Sequence, residues 1–272
     1  MSRPPGAPGL RLLQRKPPDA GDPGTRTRRR GVYLLPSLFT MGNLFCGYAC
    51  VVQALRGEFA AGAVFIGIAI VLDMLDGRVA RLTGTSTAFG VEFDSLADIV
   101  SFGVAPAILS FAWGLAPLGR LGWAAGFVFV AGAAVRLARF NISTGSQDKR
   151  YFAGMPSPAA AGIPAATVFT FSEGIHTSYW ALAVLAMVLV PGLLMVSTIR
   201  FRSFKAFDLG VRRPFPVLIL VAGAIALLVA RPELVLMVLA YSYLASPFIG
   251  LLIQRLRRGK STTEPAAQPP AP

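Results

Sequence analysis

Long apolar stretches, separated by short polar or Gly/Pro-rich breaks, recur along most of the chain and constrain its fold more than any other feature. With 54% hydrophobic and 14% charged residues, the sequence has too few polar side chains to cover a water-facing surface. Most stretches reach about 20 residues, the length a helix needs to cross a bilayer core. We therefore predict an all-α polytopic membrane protein. The eight candidate spans are 32–55, 59–75, 94–117, 121–140, 157–172, 178–199, 214–230 and 233–253.

Two candidate spans, 59–75 and 157–172, are short for a bilayer. Because the hydrocarbon core offers no water to backbone polar groups, we expect each to be lengthened by its flanking turn or shielded by neighbouring helices. The terminal segments 1–31 and 256–272 contain no apolar run of comparable length and are rich in proline. We predict that both are disordered tails.

The positive charge of the chain is divided unevenly between the two sides of the predicted bundle. The formal net charge is +13, yet only Arg56, Arg120 and Arg231 of the 26 Lys and Arg residues fall on the outer side when the N-terminus is inside. This asymmetry is typical of membrane proteins with basic cytoplasmic loops. Such loops also bind anionic lipid headgroups. We therefore predict cytoplasmic termini and no nucleic-acid partner.

Carboxylates are concentrated where the second candidate span ends and the third begins. Asp73, Asp76, Glu92, Asp94 and Asp98 lie close together there, although the whole chain has only 13 acidic residues. A carboxylate at the bilayer centre costs about 2.5 to 3.5 kcal/mol on insertion scales, so intramembrane acids are candidates for function.

Helical spacing places four of these acids on two facing stripes, because residues three and four apart share one face of a helix. The first stripe is Asp73, Asp76, Gly77 and Ala80, and the second is Gly90, Asp94 and Asp98. Only a short polar connection separates the stripes, so we expect antiparallel neighbouring helices. Their small residues would let the backbones, or a ligand, approach closely.

Four facing carboxylates would repel one another unless cations neutralised them. Hard oxygen ligands in this number suit Mg²⁺, Mn²⁺ or Ca²⁺ and could hold a pair of ions. The structural alternative is a polar network in which Arg78 and Arg81 pair with the aspartates. We favour the metal site because two arginines could be paired by far fewer acids.

Acids in membrane helices also mark the ion pathways of cation transporters, which are a different class of protein. Here the acids lie near one face, no second acid lies deeper to relay an ion, and inverted-repeat segments are absent from the sequence,. A non-catalytic lipid-binding scaffold would not need a fourth carboxylate. We therefore favour an enzyme over both.

The spacing of these residues resembles the signature of the CDP-alcohol phosphotransferase family. The pattern reads Asp73-x-x-Asp76-Gly77-x-x-Ala80-Arg81, then eight residues, then Gly90-x-x-x-Asp94-x-x-x-Asp98, and every fixed position agrees. The resemblance implies a six-helix catalytic domain at 32–199 and two additional transmembrane helices at 200–255. It also implies a homodimer in the cytoplasmic membrane with its active site facing the cytoplasm.

The resemblance further assigns roles to individual residues. It implies that Asp73, Asp76 and Asp94 ligate two Mg²⁺ or Mn²⁺ ions, and that Asp98 completes the site and acts as general base on the attacking hydroxyl. Gly77, Ala80 and Arg81 would line the CDP pocket. Asn43 in the first span would contact the nucleotide or donor lipid, or would instead make an interhelical hydrogen bond.

Three stretches outside the signature resemble the membrane-embedded bacterial phosphatidylserine synthases of this family: residues 34–48, 136–141 and 152–162. This resemblance implies transfer of a phosphatidyl group from CDP-diacylglycerol to L-serine. Arg136 and Arg139 would bind the serine carboxylate, and Asn141 its amino or hydroxyl group. The turn 154–158, in which Ser157 stands between two prolines, would either form a wall of the acceptor pocket or serve packing alone,. The same arginines would equally suit glycerol phosphate or inositol phosphate, which stay open as acceptors.

The chain offers little for covalent catalysis. Its one histidine, His176, falls in a predicted outer loop, which excludes the paired His-x-Lys chemistry of phospholipase-D-like serine synthases. Its two cysteines, Cys46 and Cys50, are interpreted as small packing residues of the first span. We therefore predict direct in-line attack by the acceptor hydroxyl.

Overall fold

The computed structural model describes residues 23–83, 87–142, 151–175, 177–202, 219, 222–223 and 226–261. The described chain is helical apart from two strands of three residues each. We label its helices α1 (Pro23–Leu55), α2 (Phe59–Thr83), α3 (Ala88–Ile99), α4 (Ala105–Ser110), α5 (Arg120–Ile142), α6 (Ser157–Thr170), α7 (Ser178–Val196) and α8 (Pro232–Ser261). The strands are β1 (Tyr151–Ala153) and β2 (Arg200–Arg202).

Six helical segments of the described chain are long and apolar enough to cross a membrane, which confirms the polytopic helical fold. They are Ser37–Leu55, Phe59–Val79, Ala88–Leu118, Arg120–Ile142, Tyr179–Val196 and Pro232–Gly250. The candidate span 214–230 lies largely outside the described residues.

The two short candidate spans behave as expected. The helix α2 continues beyond residue 75 to Thr83, so its flanking polar turn lengthens it. The helix α6 has 14 residues and a length of about 21 Å. It packs against α2 and α8, and most of its side chains are buried. Neighbouring helices therefore shield a helix that is too short to span a bilayer unaided.

Helical structure extends further into the terminal segments than we predicted. The helix α1 begins at Pro23 rather than near residue 32, and α8 ends at Ser261 rather than near residue 255. Proline is well suited to a first helical turn because its φ is already close to the helical value. Arginine, frequent in both extensions, is a good helix former.

The third membrane segment contains two π turns, Val100–Val104 and Phe111–Leu115. The residue after each turn donates its N–H to the carbonyl five positions earlier. Each π turn ends two residues before a proline, Pro106 or Pro117. A proline has no N–H and its ring crowds the carbonyl four residues back, so a wider turn relieves the clash. The first π turn directly follows α3, which carries two of the predicted site aspartates.

A short antiparallel ribbon, absent from our predictions, joins the α5–α6 connection to the segment after α7. Its strands β1 and β2 pair Phe152 with Phe201. Gly154 follows with a φ of 81°, and any side chain there would collide with the Met195 carbonyl oxygen. Strands of three residues are too short for an alternating pattern to be detected.

Close helix contacts build the core around small side chains. A Cβ added to Gly132 of α5 would lie 2.5 Å from the carbonyl oxygen of Gly192 in α7. Phe102 and Phe129 are the largest fully buried residues in the described chain. Packing through small residues is typical of membrane helices, which gain little from hydrophobic burial against lipid.

Candidate active site

Three carboxylates of the predicted cluster converge at one end of the helix bundle. Asp73 comes from α2, and Asp94 and Asp98 come from α3. Each offers an oxygen within 4.8 Å of the other two. The predicted convergence of these acids is confirmed, but the expected direct packing of α2 on α3 is wrong, because both helices pack mainly against α1 instead.

The start of α3 is fixed by a cap that helps to set this arrangement. Thr87 is the N-cap residue, and its hydroxyl accepts a hydrogen bond of 3.0 Å from the Gly90 backbone N–H. A Cβ on Gly90 would lie only 3.1 Å from that hydroxyl oxygen. N-cap hydroxyls satisfy N–H groups that the first helical turn leaves unpaired. The signature glycine thus fits a tight helix start one turn before Asp94.

The fourth predicted ligand, Asp76, adjoins this cluster but is not one of the three converging acids. Its side chain is buried, and its Oδ2 accepts a hydrogen bond from the Thr40 hydroxyl of α1. Asp76 still interacts electrostatically with both Asp73 and Asp94.

Asp98 of α3 is also bound by a side chain of α1, Asn43. Its Oδ1 accepts a hydrogen bond of 3.0 Å from Nδ2 of Asn43, which is fully buried. The Asn43 carbonyl oxygen in turn accepts a 2.8 Å hydrogen bond from the Ser101 hydroxyl in the first π turn. Asn43 therefore makes an interhelical hydrogen bond, which was one of the two roles we predicted for it. Its partner is Asp98, the predicted general base.

Three buried polar atoms of the described side chains lack a hydrogen-bond partner, and all three lie at this site. They are Asn43 Oδ1, Asp94 Oδ1 and Arg136 Nε. A buried polar atom without a partner costs about 1 to 3 kcal/mol, and such atoms are rare in folded proteins. Their concentration here indicates a place where a ligand supplies the missing partners. Two are oxygen acceptors suited to a cation, and one is a guanidinium donor suited to an anion.

Arg136 of α5 is a cationic side chain that interacts with the acidic cluster. Its guanidinium interacts electrostatically with Asp73 and Asp98, and its Nη1 donates a 3.0 Å hydrogen bond to the buried Ser157 hydroxyl. Tyr243 of α8 also interacts electrostatically with this guanidinium. A helix outside the predicted six-helix domain thus contributes to the surroundings of Arg136.

The other two residues predicted to bind the acceptor have different partners. Arg139 is exposed and donates a 3.0 Å hydrogen bond to the Val196 carbonyl oxygen. Asn141 donates a 3.0 Å hydrogen bond to the Ser95 hydroxyl. Arg136 and Arg139, three residues apart on α5, therefore do not form one joint binding group in this structure, because each guanidinium bonds to a different helix.

The predicted nucleotide residues are described only in part. Gly77 is exposed at the end of α2, whereas the side chains of Ala80 and Arg81 lie outside the described residues. Arg78 and Glu92 are both exposed. Cys46 and Cys50 are buried free cysteines, as expected for packing residues.

Comparison with known proteins identifies the family. A family model described as CDP-alcohol phosphatidyltransferase matches residues 33–192, which span more than half of the chain and include all four aspartates. The chain belongs to the CDP-alcohol phosphatidyltransferase family. The acidic cluster of this family member thus lies inside the matched region, whereas Tyr243 and α8 lie beyond it.

Three proteins similar to this chain have names that state an activity. A protein of Helicobacter pylori named CDP-diacylglycerol–serine O-phosphatidyltransferase is 39% identical over 206 residues, or 74% of this chain and 84% of the relative. A Mycobacterium leprae protein of the same name is 34% identical over 229 residues, covering 80% and 75% of the two chains. An archaetidylserine synthase of Methanothermobacter thermautotrophicus is 34% identical over 170 residues, covering 61% and 69%.

Sequence reasoning missed one polar residue that touches the predicted site, Thr40, and identified another, Ser157, only as part of a proline-flanked turn. Thr40 precedes Asn43 by three positions and therefore shares its helix face, which is a signal that could have identified it. Ser157, the first residue of α6, is almost fully buried against Arg136. Its contact with Arg136 fits the first of the two roles predicted for the turn 154–158, although the partner itself depends on how α5 and α6 pack.

Proposed function

We propose that this protein transfers the phosphatidyl group of CDP-diacylglycerol to L-serine, giving phosphatidylserine and CMP. The observation that carries the proposal is the convergence of the Asp73, Asp94 and Asp98 carboxylates within 4.8 Å. The relatives named as serine O-phosphatidyltransferases support L-serine as the acceptor.

The donor atoms at the cluster fit divalent metal, because they are carboxylate oxygens and Asp94 Oδ1 is buried without a partner. Asp73, Asp94 and Asp98 would hold Mg²⁺ or Mn²⁺, and the adjoining Asp76 would complete a site for two ions. When bound, the ions would offset charge on the diphosphate and stabilise CMP as leaving group.

Asp98 is the proposed general base. It would take the proton of the serine hydroxyl as that oxygen bonds to the phosphorus that carries diacylglycerol. The bond from this phosphorus to the CMP oxygen breaks in the same displacement, and CMP departs with the electron pair. The hydrogen bond from Asn43 Nδ2 engages Asp98 Oδ1, so the carboxylate has a fixed orientation from which to accept the proton.

Arg136 is the main candidate to bind the serine carboxylate. Its Nε is buried without a partner, and Ser157 already orients its Nη1. A guanidinium forms strong charge-assisted hydrogen bonds to a carboxylate. Arg139 and Asn141 would complete the acceptor pocket by exchanging their present partners, Val196 and Ser95, for substrate.

The nucleotide of the donor would bind beside the acidic cluster. Gly77, Ala80 and Arg81 would line the CDP pocket, and the free Oδ1 of Asn43 would accept a hydrogen bond from CDP-diacylglycerol.

We place the enzyme in the cytoplasmic membrane as a homodimer whose site faces the cytoplasm. Light scattering of the detergent-solubilised protein tests the dimer, since a monomeric mass would refute it.

Acceptor identity is tested by CMP release from CDP-diacylglycerol with purified protein and Mg²⁺ or Mn²⁺. L-serine, glycerol 3-phosphate and inositol phosphate are compared at equal concentration, and the lipid product is identified by mass spectrometry. Release with serine and formation of phosphatidylserine are expected. Release with a phosphorylated acceptor alone would support the same phosphatidyl transfer to a different acceptor. It would indicate that Arg136 binds the phosphate of that acceptor.

A further inference from the structure

The helix α1 touches the acidic cluster through two short polar side chains one turn apart. Thr40 is 3% exposed and Asn43 is fully buried. The Thr40 hydroxyl donates to Asp76 Oδ2, and Asn43 Nδ2 donates to Asp98 Oδ1. One helix outside the α2–α3 hairpin therefore contacts a carboxylate from each of its two helices.

These short side chains reach the carboxylates because α1 approaches closely at two glycines. A Cβ on Gly47 would lie 2.5 Å from the Ser101 hydroxyl oxygen, and a Cβ on Gly42 would lie 3.2 Å from Leu72 Cδ1. The Ser101 hydroxyl also bonds to the Asn43 carbonyl oxygen at 2.8 Å. The contacts of Gly42 and Gly47 thus fix the position of α1 against α2 and the first π turn.

We infer that Thr40 and Asn43 are positioning residues for the carboxylates of Asp76 and Asp98. The terminal torsion of an aspartate has a broad preference, so packing alone does not fix its oxygens. A hydrogen bond to one oxygen sets the plane of the carboxylate and leaves its other oxygen for metal or proton. Partners of this kind change metal affinity by about 10- to 100-fold in known metal sites.

This inference rests on the proposed metal site, and a purely structural role for Thr40 makes a different prediction. If Thr40 only pins α1 to α2, its variants would change stability and leave metal affinity unaltered. If Thr40 orients Asp76, removal of its hydroxyl without loss of volume would weaken metal binding in protein that remains folded.

The test is Mn²⁺ binding by the purified full-length protein in detergent, with no substrate present, measured from the electron paramagnetic resonance signal of free Mn²⁺. Thr40→Val removes the hydroxyl and keeps the side-chain shape, and we expect it to weaken binding by about 10-fold or more. Thr40→Ser keeps the donor and should restore affinity close to wild type.

Thr167→Val is the matched control. Thr167 is a membrane-helix threonine whose hydroxyl bonds to the Ile163 carbonyl and Tyr241. It lies ten residues along α6 from Ser157, or about 15 Å along the helix axis. We expect unaltered Mn²⁺ affinity in this variant, so a loss like that of Thr40→Val would contradict a specific role for Thr40.

Asp94→Asn separates failure of the inference from failure of the proposed function. Weakened binding in Asp94→Asn together with wild-type binding in Thr40→Val would overturn only the positioning role. Wild-type binding in both variants would overturn the metal site itself. If Thr40→Val does not elute as a folded species, Thr40→Cys carries the same test, because its thiol is a weak donor of similar size.

Asn43→Ala tests the second half of the inference through catalysis. Its expected effect is a fall in kcat with little change in the KM for serine, because Asn43 Nδ2 orients the base Asp98. Loss of the proposed Oδ1 contact would instead raise the KM for CDP-diacylglycerol. An unchanged kcat would overturn the positioning role of Asn43.

Discussion

Asn43 of α1 and Asp98 of α3 are joined by a hydrogen bond of 3.0 Å between Asn43 Nδ2 and Asp98 Oδ1. The two residues are 55 positions apart in the chain, and only Asp98 belongs to the family signature. The proposed base is therefore oriented by a helix that the signature does not include. The carboxylates of the site come from two helices, and the orientation of the proposed base depends on a third helix packed against them.

Replacement of Asp98 by Asn should abolish turnover while leaving CDP-diacylglycerol binding largely intact. The amide cannot take the acceptor proton, and general-base catalysis is typically worth about 10²- to 10⁴-fold in rate. The measurement is kcat for CMP release beside equilibrium binding of the donor lipid. Turnover at the wild-type rate would remove Asp98 from the mechanism.

Arg136→Gln should raise the KM for serine more than Arg139→Gln does. Arg136 offers a buried unpartnered Nε beside the cluster, whereas Arg139 is exposed and bonds to a backbone carbonyl. A hydrogen bond to a charged group contributes about 1.5 to 3 kcal/mol, so a loss of roughly 10- to 100-fold in kcat/KM for serine is expected. Equal losses in the two variants would favour the arginine pair predicted from the sequence.

The signature hairpin was the most predictable part of the molecule. Asp73, Asp94 and Asp98 follow the helical repeat, and the short connection keeps the two helix ends close. Their convergence could therefore be predicted from spacing, but the packing of both helices against α1, rather than against each other, could not. The family resemblance added the assignment of roles, which spacing does not provide.

Partners that depend on packing between distant elements were not predictable in the same way. The bond from Arg136 to Ser157 and the separate partner of Arg139 depend on the positions of α6 and α7. The i, i+3 spacing predicted only that the two arginines share a helix face. It did not predict that a backbone carbonyl would engage one of them.

Gly132→Ala should destabilise the protein through the α5–α7 contact. Its added Cβ would lie 2.5 Å from the Gly192 carbonyl oxygen, which is backbone and has little freedom to move. Overpacking of this kind costs about 1 to 3 kcal/mol. The readout is the thermal unfolding midpoint in detergent.

The control for this change is Gly67→Ala in α2, where no heavy atom lies within 4 Å of the added Cβ. We expect an unchanged or slightly higher midpoint, because alanine is the better helix former. A Gly132→Ala midpoint equal to that of Gly67→Ala would show that the α5–α7 contact relaxes freely.

A direct displacement predicts that labelled CMP does not exchange into CDP-diacylglycerol when serine is absent. No histidine of the described chain lies at the cluster, and both cysteines are buried in α1, so neither residue type offers a nucleophile there for a covalent phosphatidyl intermediate. The measurement is label recovered in the donor lipid after incubation with metal. Exchange without serine would indicate a two-step route.

The most direct test of the account is incorporation of labelled L-serine into lipid, with and without divalent metal. Purified wild-type protein, CDP-diacylglycerol and labelled serine are incubated after chelation, and Mg²⁺ or Mn²⁺ is then restored. We expect no labelled phosphatidylserine after chelation, recovery when metal is restored, and loss of that recovery in Asp94→Asn. Metal-independent incorporation, or full activity in Asp94→Asn, would contradict metal-dependent transfer at the aspartate cluster.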